Sequence, residues 1–327
     1  MILVTGGAGF IGSNLVAALG ERSGAPVYVC DIVDSDEKER NLAKHSVAEI
    51  IPPPDLLSWL EGPGAATETI FHLGAISATT ERDPVALLDN NVAFSAALWR
   101  WCAAQDARLI YASSAATYGD GANGFDDDPD PRALAALEPL NGYGQSKQLF
   151  DIDAALMARM GCRPPQWAGL KFFNVYGPNE YHKAGQRSVA VQLFEQISAS
   201  GRAKLFRSHH ADYEDGGQLR DFIWVGDCVD VMLWLYDNPG VSGIFNCGTG
   251  EARSFADLAR ACFQAMEREE AIDFIDTPES LRAHYQYFTE ARMERLRAAG
   301  YTQPFTSLEE GVASYIRGYL QTNDPYR

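Results

Sequence analysis

The sequence predicts an α/β protein, a doubly wound parallel sheet with a smaller C-terminal domain, on three observations. An apolar run, Ile2-Leu3-Val4-Thr5, stops at Gly6-Gly7-Ala8-Gly9-Phe10-Ile11-Gly12, after which Ile11, Leu15, Val16 and Leu19 recur at helical spacing. A second apolar run, Val27-Tyr28-Val29-Cys30, ends in an acid, Asp31. A third, Leu109-Ile110-Tyr111-Ala112-Ser113-Ser114, ends in two hydroxyls and precedes the stretch Asn141-Gly142-Tyr143-Gly144-Gln145-Ser146-Lys147. Strands alternating with helical patterns in this way make parallel α/β sheets.

The glycines at 6, 9 and 12 lie between the first strand and the first helix. Such a turn lets the backbone approach a pyrophosphate, because the N–H groups and dipole of a helix N-terminus favour anions. A dinucleotide is therefore expected there. Asp31 falls about 20 residues after the turn, where an acid contacts the adenosine ribose and leans towards NAD. Lys38, Arg40 and Lys44 follow closely and either hold a 2′-phosphate or belong to a solvated charged loop.

Ile70-Phe71-His72-Leu73-Gly74-Ala75 is the next strand, followed by the polar turn Ser77-Ala78-Thr79-Thr80-Glu81. From Pro84 a long helix runs to about Ala104. It carries Asn90 and Asn91, poor helix formers placed to touch the cofactor or the backbone of a neighbouring strand. Ser114 ends a buried strand, and in open parallel sheets ligands sit outside the carboxyl ends of strands. Tyr143 and Lys147 are four apart, so in a helix from about 143 to 160 both lie on one face. A phenol with a pKa near ~10 is a poor base at neutral pH, and an ammonium beside it favours the phenolate. That makes the pair a candidate for proton transfer.

Residues 119–138, with Asp126, Asp127, Asp128 and Asp130, read as an acidic surface loop and not as a metal site. A strand from Trp167 to Phe173 enters Asn174-Val175-Tyr176-Gly177-Pro178 and the turn Glu180-Tyr181-His182-Lys183. A helix near 188–200, a strand at 203–206 and a polar loop from Ser208 to Gln218 come next. Arg220 to Asp227 leads into a helix at about 228–237, then a strand at 244–248 and helices at about 254–268, 290–298 and 307–320. Residues 1–168 with about 219–245 are expected to form the dinucleotide-binding domain, and about 169–218 with 246–327 the second domain.

Composition bounds the partners. A net charge of −17, with 21 Arg and only six Lys, argues against binding a nucleic-acid backbone. No apolar run approaches the ~18 residues of a membrane span, and the first residues already read as a strand, not a signal peptide. A soluble, cytoplasmic protein is expected. The six cysteines form no Cys-x-x-Cys pair and most lie in apolar segments, which predicts buried, reduced thiols. The six histidines show no metal-ligand spacing, and His209-His210 falls in a polar, exposed loop.

The glycine turn, the Ser-Ser strand end and Tyr-x-x-x-Lys together resemble the extended short-chain dehydrogenase/reductase family, across essentially the whole chain. The resemblance implies a Rossmann sheet in which Tyr143 transfers a proton, Lys147 holds the nicotinamide ribose and Ser114 orients the substrate. Dehydratases of that family carry Asp-Glu after the serine; Ala115 and Ala116 stand here. Residues 112–119, 173–178, His182-Lys183, 243–246 and 296–301 are similar to the branch that epimerises an ADP-bound heptose at carbon 6, in heptose supply for lipopolysaccharide. That similarity implies an NADP-dependent isomerase (NAD being possible) in which Lys183 is the second base. Cofactor contacts would come from Gly6, Gly9, Phe10, Ile11 and Gly12, from Asp31, Ile32 and Lys38, from Leu73, Gly74, Ala75, Ile76 and Ser77, and from Asn90, Lys147, Val175 and Lys183. The nucleotide sugar would meet Ser77, Ser114, Asn174, Gly185, Gln192, Phe206, Arg220 and Tyr285. Against the family pattern, Ile32 replaces Asn, Pro53 replaces Lys, Gly185 replaces a small hydroxyl, Gln192 replaces His, and the loop 207–219 is enlarged. The family also suggests a homo-oligomer, a pentamer, with no metal. A UDP-sugar 4-epimerase of the same family and a non-catalytic cofactor sensor are the alternative readings.

Overall fold

The computed structural model describes residues 1–23, 27–282 and 286–327. Its strands are β1 (Ile2–Thr5), β2 (Val27–Cys30), β3 (Val47–Ile51), β4 (Thr69–His72), β5 (Arg108–Ser114), β6 (Trp167–Phe172), β7 (Asn174–Tyr176), β8 (Ala203–Phe206), β9 (Leu219–Trp224), β10 (Gly243–Cys247), β11 (Ala252–Ser254) and β12 (Ile272–Ile275). Seven form one parallel sheet in the order β10-β6-β5-β4-β1-β2-β3. Chain order reverses between β1 and β4, so the carboxyl ends of these two strands open a crevice at the switch point.

The sheet is buried on both sides, which is why its central strands read as unbroken apolar runs. One face packs on helix Phe10–Ser23 and helix Val225–Asp237 through Leu15, Leu19, Met232 and Leu235. The other packs on helix Phe94–Gln105 and helix Gly142–Arg159 through Trp99, Cys102, Phe150 and Ala154. A smaller layer gathers the sheet β11-β9-β7, the pair β12-β8 and helices Val189–Ser200, Phe255–Ala265 and Leu308–Tyr315 around a core of their own. The segment 219–245 divides between the two: β9 stays in the small sheet, while the helix Val225–Asp237 and β10 join the large one. Among the described residues no helix is long and apolar enough to cross a membrane, and no cluster of His, Cys, Asp or Glu could hold a metal ion. Five cysteines are buried and Cys162 is exposed.

Two stretches depart from the sequence expectation. The charged segment after Asp31 is a helix, Asp36–Leu42, because Ser35 caps it and Asp36, Glu37 and Glu39 crowd its positive end. The acidic segment 119–138 is not wholly at the surface. Asp127 is buried against β10, where its carboxylate accepts the Asn246 N–H at 2.7 Å and lies 3.6 Å from Arg295. The Asn246 side chain completes the clasp, donating to the Phe125 carbonyl at 2.8 Å and accepting from the Tyr118 hydroxyl at 2.6 Å. A short helix, Pro131–Ala135, follows.

Burial raises the Asp127 pKa to about 6, against the opposing pull of the Asn246 N–H and Arg295. The native state therefore holds this proton more tightly than the unfolded chain does. Stability from this group is present below the usual carboxylate pKa and is lost as pH rises through about 6. Asp127→Asn keeps an acceptor for Asn246 while removing the charge. Urea unfolding between pH 4 and 7 should show a flatter stability profile for this variant, the wild-type chain losing about 2–3 kcal/mol more across the range.

Candidate active site

The crevice widens into a cleft of about 1140 Å³ that runs from the glycine turn to the turn at Lys183. At its floor, Gly6 takes a left-handed φ of 68°, and a Cβ there would stand 2.6 Å from the Gly74 backbone N. A Cβ on Gly12 would stand 2.0 Å from the Gly6 carbonyl oxygen. Only glycine lets the loops after β1 and β4 and the first helix meet this closely. The first-turn residues of helix Phe10–Ser23, whose N–H groups lack helical acceptors, line the same space. This cradle fits a pyrophosphate.

At the end of β2, the Asp31 carboxylate accepts from the Ala8 N–H at 2.9 Å and the Ile32 N–H at 2.7 Å. Lys38 reaches Asp31 at 3.3 Å, Asp34 at 3.4 Å and the Ile32 carbonyl at 2.7 Å. Arg40 and Lys44 turn away from the cleft. Arg40 lies over the Tyr326 ring at 4.1 Å, and Lys44 pairs with Asp324 at 2.8 Å and donates to the Tyr326 carbonyl at 2.6 Å.

On one wall, Asn141 caps helix Gly142–Arg159 by accepting the Gly144 N–H at 2.8 Å. Tyr143 and Lys147 then fall on one face towards the cleft, with Ser114 at the end of β5 beside them. Burial moves the Tyr143 phenol up, opposed by its hydrogen bond with Ser114 and reinforced by the Asp151 charge. Lys147, expected to favour the phenolate, is not among the groups that move it. Lys147 instead donates to the Ala112 carbonyl at 2.9 Å. Burial lowers its own pKa to about 8, with Asp151 pulling the other way.

Asp151 lies two turns beyond Tyr143 on the same face, the sequence signal that could have found it. Fully buried, it accepts from Lys171 at 2.6 Å, Ser113 at 2.6 Å and Tyr111 at 3.0 Å. Lys171, also fully buried, donates in addition to Thr117 at 2.8 Å. Asn91, not its neighbour Asn90, does the bracing above. Its side chain bonds both the N–H and the carbonyl of Ile76 at 2.9 Å and donates to Ser146 at 2.9 Å. A widened π-type turn at Leu88–Ala93 swings Asn91 inwards, while Asn90 is exposed and donates to the Ala86 carbonyl at 3.0 Å.

The opposite wall is the turn Tyr181–Gln186, where Ala184 holds a left-handed φ of 48°. Lys183 lies 5.4 Å over the Phe10 ring, and burial lowers its pKa against the charge of Glu180. His182 is driven down to about 4 by burial and by Lys183, so it is neutral at physiological pH. Ser77, Asn174, Val175, Gly185, Leu73, Ala75 and Ile76 also line the cleft.

Other expected residues lie elsewhere. Ile32 is 58% exposed beyond the end of β2, and Gln192 donates to the Arg187 carbonyl at 2.8 Å. Phe206 ends β8, and Arg220 in β9 donates to the Leu219 carbonyl at 2.8 Å and to the Gln286 carbonyl. None of these lines the cleft described above. Tyr285 lies outside the described residues.

A switch-point crevice walled by a Ser–Tyr–Lys set on one side marks a class of enzyme, and the chain belongs to it: the NAD dependent epimerase/dehydratase family, whose model matches residues 2–248. Within that class it is 49% identical over 328 residues, covering 100% of both chains, to an ADP-L-glycero-D-manno-heptose-6-epimerase of Nitratidesulfovibrio vulgaris. It is 45% identical over 334 residues, again covering 100% of both, to the protein of that name from Fusobacterium nucleatum. The crystal structure of the Helicobacter pylori ADP-L-glycero-D-manno-heptose-6-epimerase superposes with a TM-score of 0.78 at 27% identity, over 97% of this chain and 95% of that one.

The buried pair beneath Tyr143 yields a stability expectation. Asp151→Ala strands the Lys171 ammonium in the core and should cost about 3–5 kcal/mol in urea unfolding. The double variant Asp151→Leu with Lys171→Met should recover most of that loss. A single variant within about 1 kcal/mol of wild type would mean that the ion pair is not what holds this layer together.

Proposed function

We propose that this chain inverts carbon 6 of an ADP-bound heptose without net oxidation or reduction, in heptose supply for lipopolysaccharide. The observation that carries the reading is the presence of two proton-transfer candidates, Tyr143 and Lys183, on different walls of one cleft. The full-length similarity to enzymes of that name supports the substrate. The bound nicotinamide supplies the acceptor and donor of hydride. Ser114 orients the reacting hydroxyl, and either Tyr143 or Lys183 takes its proton as carbon 6 becomes an aldehyde. Rotation about the bond between carbons 5 and 6 then carries the aldehyde oxygen to the other wall, where the second residue returns a proton. One base fixed on one wall cannot serve both geometries. A buried lysine whose pKa is lowered by desolvation suits the task, because it exchanges a proton more readily near neutral pH. Ala115 and Ala116 leave dehydration without the acid and base it needs. A cytoplasmic homo-oligomer is the setting proposed for the enzyme.

For the cofactor we propose a modest preference for NADP over NAD. Arg40 and Lys44 are engaged by Asp324 and Tyr326, so attraction of a 2′-phosphate falls to Lys38, against repulsion from Asp31. One charge-assisted contact contributes about 1.5–3 kcal/mol. Calorimetric titration should give tighter binding of NADP, and Lys38→Ala should lose that difference while keeping NAD affinity. Tighter NAD binding in the wild-type chain would overturn the preference.

If the two bases act on opposite geometries, Tyr143→Phe and Lys183→Met should each abolish epimerisation. Each should keep substantial dismutation of an aldehyde analogue, in which one molecule is oxidised and another reduced on the same bound cofactor. The double variant should lose both activities. Rates at saturating substrate decide the matter, since a Lys183 that only binds sugar would leave the rate at saturation intact. Epimerisation retained by Lys183→Met would falsify the two-base mechanism.

A further inference from the structure

Behind the loop that follows β4 stands a histidine that the mechanism above does not use. His72 ends β4 and is buried, as are Thr5 at the end of β1, Asn91 in the widened turn and Ser95 in helix Phe94–Gln105. The ring lies between two hydroxyls, with Nδ1 2.7 Å from Thr5 and Nε2 2.8 Å from Ser95. The Ser95 hydroxyl donates to the Asn91 carbonyl at 2.8 Å, which uses its single proton. Towards the ring it can therefore only accept, so Nε2 carries the hydrogen. Burial and the Lys147 charge drive the ring pKa down to about 3, so the ring is neutral and Nδ1 is bare. Nδ1 then accepts from the Thr5 hydroxyl, and the Thr5 oxygen accepts the Gly74 N–H at 3.1 Å.

The four bonds run in one direction, from the Gly74 N–H through Thr5, His72 and Ser95 to the Asn91 carbonyl. Both ends reach the cleft. Gly74 packs on the glycine turn so closely that a Cβ on Gly6 would stand 2.6 Å from its N. Asn91 grips the N–H and the carbonyl of Ile76, each at 2.9 Å. Residues 73–77, held at these two points, line the cleft beside Gly6 and Gly9. We propose that His72 is a positioning residue for the dinucleotide: its ring, wedged between two committed hydroxyls, sets the distance between the loop 73–77 and the glycine turn. This role needs only a bound dinucleotide, whatever the sugar and the second base. Phe94 meets the ring edge-on at 5.8 Å. A displaced ring would leave buried donors and acceptors unpaired, which fixes the length of the strut.

Calorimetric titration of the full chain, freed of cofactor, reads the effect. Gly6 and Gly74 border the pyrophosphate cradle, which NAD and NADP share. His72→Phe keeps a flat ring and removes both of its bonds, so each dinucleotide should bind about tenfold more weakly with their ratio unchanged. Val231→Ala, in the core of helix Val225–Asp237 and away from the cleft, should lower the thermal midpoint and leave both affinities alone. Should His72→Phe fail to fold, Thr5→Val and Thr5→Ser carry the same reading. Valine keeps the shape of threonine but leaves the ring and the Gly74 N–H without a partner, so it should weaken both dinucleotides. Serine keeps the hydroxyl and should restore them.

The tautomer is visible in solution. The chain has six histidines, so the ring nitrogens of His72 can be assigned by their loss on its substitution. Correlation of 15N with the ring protons should show a bare Nδ1 and a protonated Nε2. A proton on Nδ1 overturns the proposal. So do wild-type affinities in His72→Phe or Thr5→Val, and so does a Thr5→Ser variant that binds as weakly as Thr5→Val. An equal loss in Val231→Ala would reduce the effect to general stability, and a loss confined to NADP would move it to the 2′-phosphate; either result overturns the role given to His72.

Discussion

The contact on which the rest of the site depends is the buried pair of Asp151 and Lys171. It joins the helix that carries Tyr143 and Lys147 to β6, and through Ser113 and Tyr111 to β5. The helix that presents Tyr143 and Lys147 and the strand that ends at Ser114 are therefore both tied to one desolvated charge pair. Buried ion pairs contribute little net stability, because desolvation consumes most of the Coulomb attraction. What this one does is tie three elements together while satisfying both charges. Asp151 also lends its field upwards, favouring the charged form of Lys147 and the protonated form of Tyr143.

The opposite wall rests on a buried carboxylate of its own, Glu180. That carboxylate lies in the segment leading into the turn of Lys183, and Ser188 and Tyr315, at the ends of two helices, bond it. Burial acts on all four groups at once, lowering the lysines and raising the phenol and the acid. A chain with a net charge of −17 thus lines its cleft with two lysines, Lys147 and Lys183, whose pKa values burial lowers.

How much of this was legible in the sequence depended on whether the cause was local. The glycine turn, Ser114 and the Tyr143–Lys147 spacing are local, and the structure brings them to one cleft. Helix Asp36–Leu42 was legible too, since Ser35 followed by three acids is a start signal, but the density of charge disguised it as a loop. Asn90 and Asn91 could not be told apart, because which one faces inwards depends on a widened turn that breaks helical periodicity. Edge strand β3 was hidden, being exposed at three of its five residues and lacking a clean alternation. Lys171 and Glu180 were beyond reach, since Lys171 meets Asp151 on another element 20 residues back and Glu180 also meets Tyr315, 135 residues on. The burial of Asp127 has the same origin: nothing near it in sequence announces β10.

The strand β10 has a consequence for how the chain can be divided. It completes the large sheet beside β6, yet the chain reaches it only after making β7, β8 and β9 in the smaller layer. Until that excursion is finished, β6 is an open edge with unpaired N–H and carbonyl groups, an invitation to pair with another chain. The two layers are for this reason one folding unit, slow to close because its last sheet contact spans so much sequence. A fragment cut after β6 would keep the glycine turn, Tyr143 and Lys147, but its apolar edge would favour aggregation over function. The dinucleotide half of the fold is not a module that can be lifted out.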